Sequence, residues 1–167
     1  MAAAFGSAAL IVPPNLALIG SLVLAWALVC LACIDLSCFR LPDVLTLPLL
    51  LAGLGVAMVL PGAPLVEHLI GAAAGGFSLA ALAWVYRRVR GVDGIGLGDA
   101  KLLAAAGAWL GWPALPSVVL IACVVTFIWI GAQAIARGRA ALSDRLAFGA
   151  PLCLAVWIVW LAGPLSS

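Results

Sequence analysis

The chain has 167 residues, of which 67% are apolar and only 8% are charged. A soluble domain typically carries about 25% charged residues, so this chain cannot cover a water-facing surface and a cytosolic globular protein is excluded. The net charge of +2 gives no indication of nucleic-acid binding, and we expect none. The composition instead predicts a protein whose solvent is the lipid bilayer.

The charged residues are clustered and leave long charge-free runs at 1–34, 44–66, 68–86, 102–136 and 146–167. A membrane-spanning helix needs about 20 apolar residues, so four of these runs hold one helix each. The run 102–136 holds two shorter helices, separated by a turn at Trp112-Pro113-Ala114-Leu115-Pro116. The sequence therefore predicts an all-α, polytopic membrane protein with six transmembrane helices, the first beginning near Asn15, in a single domain over 1–167.

The basic residues predict the orientation. With six helices, the connections at 35–43, 87–99 and 136–145, together with Lys101 just beyond the second of these, hold all eight Lys and Arg residues. Basic loops stay in the cytoplasm, so both termini should face outward. The first run lacks the positively charged start of a cleaved signal peptide, and we expect its helix to be retained.

The five cysteines, Cys30, Cys33, Cys38, Cys123 and Cys153, do not have the pattern of a metal site. Cys30 and Cys33 have the gap of a zinc-binding pair, but no second pair with similar spacing completes a tetrahedral set. Apolar packing is the expected role of all five. We expect no metal and no cofactor.

The six acidic residues are the candidates for chemistry, because carboxylates beside hydrocarbon are costly. Four have simple structural explanations. Glu67, with His68 beside it, is expected to cap the third helix at the outer interface, and Asp43 to cap the second. Asp144 lies between arginines that it can pair with, and Asp93 lies in a glycine-rich, solvent-facing loop.

The remaining two acids are Asp35, which follows the first apolar run, and Asp99, which opens the fourth helix. The predicted topology puts both at the cytoplasmic rim, where they can meet. Two carboxyl groups sharing a proton can activate water and protonate a scissile carbonyl; the alternative is that both are helix caps. Gly94, Gly96 and Gly98 permit positive φ and close backbone approach before Asp99.

These motifs resemble those of the type IV prepilin peptidases, membrane aspartic proteases of the Gly-x-Gly-Asp class. Gly94-Ile95-Gly96-Leu97-Gly98-Asp99-Ala100-Lys101-Leu102 is similar to the second motif of the family, and Ile34-Asp35 through Leu41-Pro42-Asp43 to the first. Phe148-Gly149-Ala150-Pro151-Leu152 resembles a third, in which many relatives have Phe-Gly-Pro. The resemblance covers about residues 20–165.

The resemblance implies a leader peptidase in the bacterial inner membrane, with its active site at the cytoplasmic face. Its substrates would be type IV prepilins or type II secretion pseudopilins, cut between a basic leader and a hydrophobic helix. Asp35 and Asp99 would be the catalytic pair, Gly94, Gly96 and Gly98 would shape the loop, and Lys101 is a motif residue with no role assigned. Many relatives carry an N-terminal methyltransferase domain with cysteine pairs, which we expect to be absent, so that this enzyme is a peptidase only.

Helix dipoles suggest a division of roles within the pair. Asp99 lies at a helix N-terminus, which favours the ionised form, and Asp35 at a C-terminus, which disfavours it; on this argument Asp99 is the base and Asp35 the acid. The competing function is a non-enzymatic transporter or assembly subunit. A transporter should place ionisable groups near the bilayer midplane, whereas these acids lie at the rim. The sequence does not indicate the oligomeric state.

Overall fold

The structure is a computed structural model that describes residues 14–59, 64–91, 96–137 and 147–162. These ranges contain six α-helices: α1 (Pro14–Cys38), α2 (Asp43–Val59), α3 (Leu65–Arg90), α4 (Leu97–Leu110), α5 (Leu115–Arg137) and α6 (Gly149–Ala162). The predicted all-α class is confirmed for this part of the chain. A 3₁₀ turn at Trp112–Ala114 separates α4 from α5, where the two-proline turn was expected. Gly94, Asp93 and Asp144 lie outside the described residues.

The helices differ in length. Three apolar helical segments are long enough to cross a membrane, at Leu18–Cys38, Leu65–Arg90 and Trp112–Ala136. α4 and α6 have only 14 residues each, which at about 1.5 Å per residue gives about 21 Å, against about 30 Å of hydrocarbon. Six helices are therefore present in the described residues, whereas six full crossings and the orientation of the termini remain predictions.

The short helix α4 lies at the centre of the bundle. Ten of its 14 residues are buried, and it packs against α2, α3 and α6. Its small residues let neighbouring helices approach closely, as is usual in membrane proteins. At its far end, Trp109 donates a hydrogen bond from Nε1 to the carbonyl oxygen of Leu49 on α2, at 2.8 Å, and its ring meets that of Trp160 edge to face, with centroids 5.6 Å apart. These contacts fix the position of α4 relative to three other helices.

Glycines set the approach of α3 to α4. A Cβ atom added at Gly71 would lie 2.5 Å from the carbonyl oxygen of Gly107, and one added at Gly75 would lie 2.5 Å from that of Leu103. A Cβ atom at Gly107 would in turn collide with the backbone of Gly71. The two backbones are thus in direct contact over about two turns, which no larger residue permits.

His68 does not cap α3 at an interface as expected from the sequence. Its side chain is buried, and Nδ1 donates to the carbonyl oxygen of Ala108 on α4, at 2.9 Å. The physical reason is the close approach at Gly71 and Gly107, which brings the first turn of α3 against the last turn of α4. His68 is therefore a buried link between these helices.

We predict that replacing Gly107 by Ala destabilises the bundle, because the added methyl group has to push α3 away from α4. Overpacking of this kind costs about 1–3 kcal/mol. The thermal unfolding midpoint of the purified protein in detergent should therefore fall. The matched control is Gly131→Ala in α5, where an added Cβ meets nothing within 4 Å; its midpoint should stay the same or rise, because alanine favours helix by about 1 kcal/mol over glycine. Equal midpoints for the two variants would contradict the prediction.

Candidate active site

Asp35 and Asp99 come together at one end of the bundle. Asp35 lies in the last turn of α1, and Asp99 lies 64 residues later, in the first turn of α4. Their side chains are buried, with relative exposures of 3% and 8%, and no other carboxylate among the described residues is buried. They lie within range of each other's charge. We call these two residues the aspartate pair.

The side chain of Asp35 is held by the beginning of α6. Its Oδ2 atom accepts a hydrogen bond from the backbone N–H of Ala150, at 2.9 Å. Gly149 packs directly against the same carboxyl group, since a Cβ atom added at Gly149 would lie 2.7 Å from Oδ2. Cys153, one turn further along α6, is buried and lies within range of both charges of the aspartate pair. The sequence resemblance singled out this segment without assigning it a contact with Asp35.

In the segment before Asp99, the glycines were expected to permit positive φ and close backbone approach, and the structure shows only the close approach. Helix α4 begins at Leu97, two positions earlier than predicted, and the backbone N–H of Asp99 donates to the carbonyl oxygen of Gly96, at 3.1 Å. Gly96 has φ −72°, and Gly98 is helical, so neither uses the positive φ that was expected. Close approach is what Gly98 provides: a Cβ atom there would lie 3.1 Å from Cβ of Leu41.

Lys101 pairs with Asp43. Its Nζ atom donates to both carboxylate oxygens, each at 2.6 Å. Asp43 was expected to cap α2 by accepting backbone N–H bonds. It is the first residue of α2, and the bonds that its carboxylate makes here are to Lys101 on α4, a partner that the sequence did not indicate. This ion pair lies near the aspartate pair and is partly exposed, at 42% for the side chain of Lys101 and 55% for that of Asp43.

The connection between α1 and α2, residues 39–42, makes a tight turn beside the aspartate pair. Phe39 has φ +52°, a conformation that is uncommon for an aromatic residue, and its N–H donates to the carbonyl oxygen of Asp35, at 2.8 Å. This turn ends α1 one turn after Asp35. It directs the chain back so that Leu41 reaches both Gly98 and Gly149.

The structure removes the basis for the roles expected from helix dipoles. That argument placed Asp35 only at the C-terminus of α1, whereas its carboxylate also lies at the N-terminus of α6 and accepts an N–H bond from Ala150. A charge-assisted bond of this kind stabilises the ionised form. Asp99 has no corresponding advantage over Asp35, since each carboxyl group lies in the first turn of a helix.

This arrangement can carry out acid–base chemistry at one point. Two buried carboxyl groups within range of each other's charge disfavour double ionisation, which favours a state in which the pair carries a single proton. The ionised group can accept a proton from water while the protonated group donates one. The described residues contain no group of three or more His, Cys, Asp or Glu side chains arranged to hold a metal ion.

Known protein sequences resemble this chain. Residues 22–131 match the type IV leader peptidase family. The chain is 47% identical over 148 residues to a prepilin leader peptidase/N-methyltransferase of Burkholderia pseudomallei (strain K96243), covering 89% of this chain and 47% of the relative. It is 43% identical over 155 residues to the protein of that name from Aeromonas salmonicida, covering 93% and 53%. A Klebsiella pneumoniae protein of the same name is 47% identical over 120 residues, covering 72% and 53%.

The chain spans about half the length of these curated relatives. No solved structure matches it significantly. The matched region includes Asp35, Asp99 and Lys101 as well as most of the bundle. Bacterial relatives and three helices of membrane-spanning length indicate a bacterial membrane protein. The chain belongs to the type IV leader peptidase family.

Proposed function

We propose that this protein is an aspartic endopeptidase that removes the basic leader of a prepilin or pseudopilin at the cytoplasmic border of the inner membrane. The observation that carries the proposal is the burial of both Asp35 and Asp99 at one end of the bundle, within range of each other's charge. A structural cap needs neither burial nor a second carboxylate. The names of the relatives add the substrate class.

In the proposed reaction, the ionised aspartate takes a proton from a water molecule as its oxygen attacks the scissile carbonyl carbon. The protonated aspartate donates its proton to the carbonyl oxygen, which gives a neutral tetrahedral intermediate. The C–N bond then breaks, and the departing nitrogen receives a proton from the aspartate that had acted as base. As the carbonyl reforms, one hydroxyl group of the intermediate returns its proton to the aspartate that had acted as acid. The peptide becomes a carboxyl and an amine terminus, and the aspartate pair returns to one shared proton.

The hydrogen bond from Ala150 to Asp35 supports a definite assignment of roles. Asp35 is the base, because this bond stabilises its charged form, and Asp99 is the acid. This order is the reverse of the one that the helix dipoles of α1 and α4 suggested.

The location of the pair suits a substrate made of a basic leader and a hydrophobic helix. Asp35 lies near the end of α1 and Asp99 near the beginning of α4, so that a helix inserted beside the bundle presents its first peptide bonds at the same level. A peptide bond must leave the helix before it can be cut. The resemblance to the prepilin peptidases implies that the cut follows a glycine, which makes this local unwinding easier, since glycine in a helix costs about 1 kcal/mol relative to alanine.

A transporter or assembly subunit is the alternative, and the positions of the acids argue against it. Both buried carboxylates lie at helix ends. In the three long apolar segments, every charged residue lies near an end of the segment and none lies in the middle. Transport sites lie near the midplane of the bilayer. No feature of the described residues favours that function over hydrolysis.

We predict that Asp35→Asn and Asp99→Asn each reduce leader cleavage by at least about 10²–10⁴-fold, the range typical for loss of general acid–base catalysis. The measurement is the size shift of a purified prepilin incubated with the full chain in detergent. The control is Glu67→Gln, a carboxyl in the first turn of α3, at the opposite end of the bundle, which should cleave like the unaltered chain. Undiminished cleavage by either Asp variant would show that the aspartate pair does not catalyse the reaction.

We predict that Gly149→Ala lowers the turnover number by about 10²-fold, because the added methyl group displaces the carboxyl group of Asp35 and misplacement of about 1 Å costs this much. The same prepilin assay measures it, with the unfolding midpoint recorded in parallel. Gly131→Ala is again the control, because it adds the same methyl group where there is free space. Full activity in Gly149→Ala would show that Asp35 is not held by α6 in the way described.

We predict that infrared difference spectra at neutral pH assign the proton. The spectrum of Asp35→Asn should lose an ionised carboxylate band, and that of Asp99→Asn a protonated carboxyl band, because the bond from Ala150 stabilises the charge on Asp35. The opposite pattern would restore the order that the dipoles of α1 and α4 suggested.

A further inference from the structure

One ion pair near the site has no part in the proposed reaction. Lys101 and Asp43 are 58 residues apart in sequence, and the Nζ atom of Lys101 contacts both carboxylate oxygens of Asp43 at 2.6 Å. Each partner lies close in sequence to one of the aspartates. Lys101 is two residues after Asp99 in α4, and Asp43 begins α2 directly after the short connection that follows α1 and Asp35.

Helical geometry keeps Lys101 away from the reacting atoms. Side chains two positions apart on a helix point about 200° from each other around the axis, so Lys101 leaves α4 on the opposite side from Asp99. The burial agrees, since Asp99 is 8% exposed, whereas the side chain of Lys101 is 42% exposed. Lys101 therefore does not share the pocket of the aspartate pair.

A second contact joins the same elements. Leu41, two residues before Asp43, lies against Gly98, which precedes Asp99, and against Gly149, which packs on Asp35. A Cβ atom added at Gly98 would lie 3.1 Å from Cβ of Leu41, and one added at Gly149 would lie 2.8 Å from Cδ1 of Leu41. Leu41 thus lies between the beginning of α4 and the beginning of α6. The position of Leu41 therefore sets the distance between the first turn of α4, which carries Asp99, and the first turn of α6, which contacts Asp35.

The ion pair fixes the connection that carries Leu41. This connection is short, running from Phe39 to Pro42 between α1 and α2, and the ion pair attaches its far end to α4. A partly exposed ion pair adds little to overall stability, so a contribution to stability does not explain the two short hydrogen bonds between Lys101 and Asp43. A role in holding Leu41 in place against Gly98 and Gly149 does explain them.

We infer that Lys101 and Asp43 are a positioning pair, which sets the separation of Asp35 and Asp99 through the connection at residues 39–42. The inference rests on the proposed peptidase function. It assigns Lys101, a motif residue with no role given by the sequence, to the geometry of the site. It also predicts that the charges of the two partners can be exchanged, because only their attraction matters.

The test compares turnover number and KM for prepilin cleavage by the full chain. Lys101→Met and Asp43→Asn should each lower the turnover number about 10-fold or more and change KM by less than about 3-fold, since a small misplacement of reacting groups slows the chemical step rather than binding. Lys101→Arg, which keeps the ion pair, should stay within about 3-fold of the unaltered chain. The double variant Asp43→Lys with Lys101→Glu should recover most of the lost turnover.

Two controls separate this role from others. Arg90→Met removes an exposed cation from the same end of the bundle, in the last turn of α3, and should leave turnover unchanged. Unfolding midpoints of all variants should agree closely. A loss of turnover that only follows a loss of folded protein would overturn the inference.

The remaining outcomes are equally decisive. If Lys101→Met raises KM with turnover unchanged, or if the charge-exchanged double variant is as slow as the single ones, Lys101 contacts the substrate itself and the inference is wrong. In both cases the unaltered chain still cleaves prepilin, and the proposed function stands. If the unaltered chain cleaves no prepilin, the proposed function fails and the positioning role fails with it.

Discussion

The direct contact between the backbones of α3 and α4 is the constraint on which the rest of the structure depends. Gly71, Gly75 and Gly107 leave no room for a side chain between these helices. Because α4 lies this close to α3, its other sides are free to pack against α2 and α6. The helix that carries Asp99 is thereby surrounded, and ten of its residues are buried. A buried carboxylate at its first turn is the consequence.

The second constraint joins α1 and α6, the first and the last of the described helices. Asp35 near the end of α1 accepts a bond from Ala150 at the beginning of α6, 115 residues later. At the other end of the same two helices, Nε1 of Trp160 donates to Oγ of Ser21, at 3.0 Å. These bonds keep α1 and α6 antiparallel along their lengths. The acid on the first helix is therefore positioned by the last helix, and a change in α6 reaches the site without touching either aspartate.

Much of this arrangement can be predicted from the sequence, because charge in a membrane protein is confined to a few places. The gaps between charges predict the six helices, and the positions of Asp35 and Asp99 at helix ends predict the candidate site. Gly98 is predictable as a point of close approach, since a glycine directly before a buried carboxylate has few other purposes.

The contacts between helices are what the sequence does not give. His68 bonds to Ala108 over 40 residues, and Lys101 pairs with Asp43 over 58. Neither contact follows from a local period, because helical periodicity tells which face is apolar and not which neighbour it meets. The bond from Ala150 to Asp35 could not be predicted for the same reason. The sequence shows only that Gly149 and Pro151 stand at the beginning of an apolar run. The dipole argument did not include this bond, since it considered only the helix to which each acid belongs.

The burial of α4 also removes a constraint on its length. Hydrophobic mismatch acts on helices that face lipid, whereas ten of the 14 residues of α4 face other parts of the protein. The length of α4 therefore has to match only its neighbouring helices. A helix of about 21 Å can consequently lie inside a hydrocarbon layer about 30 Å thick without deforming the bilayer.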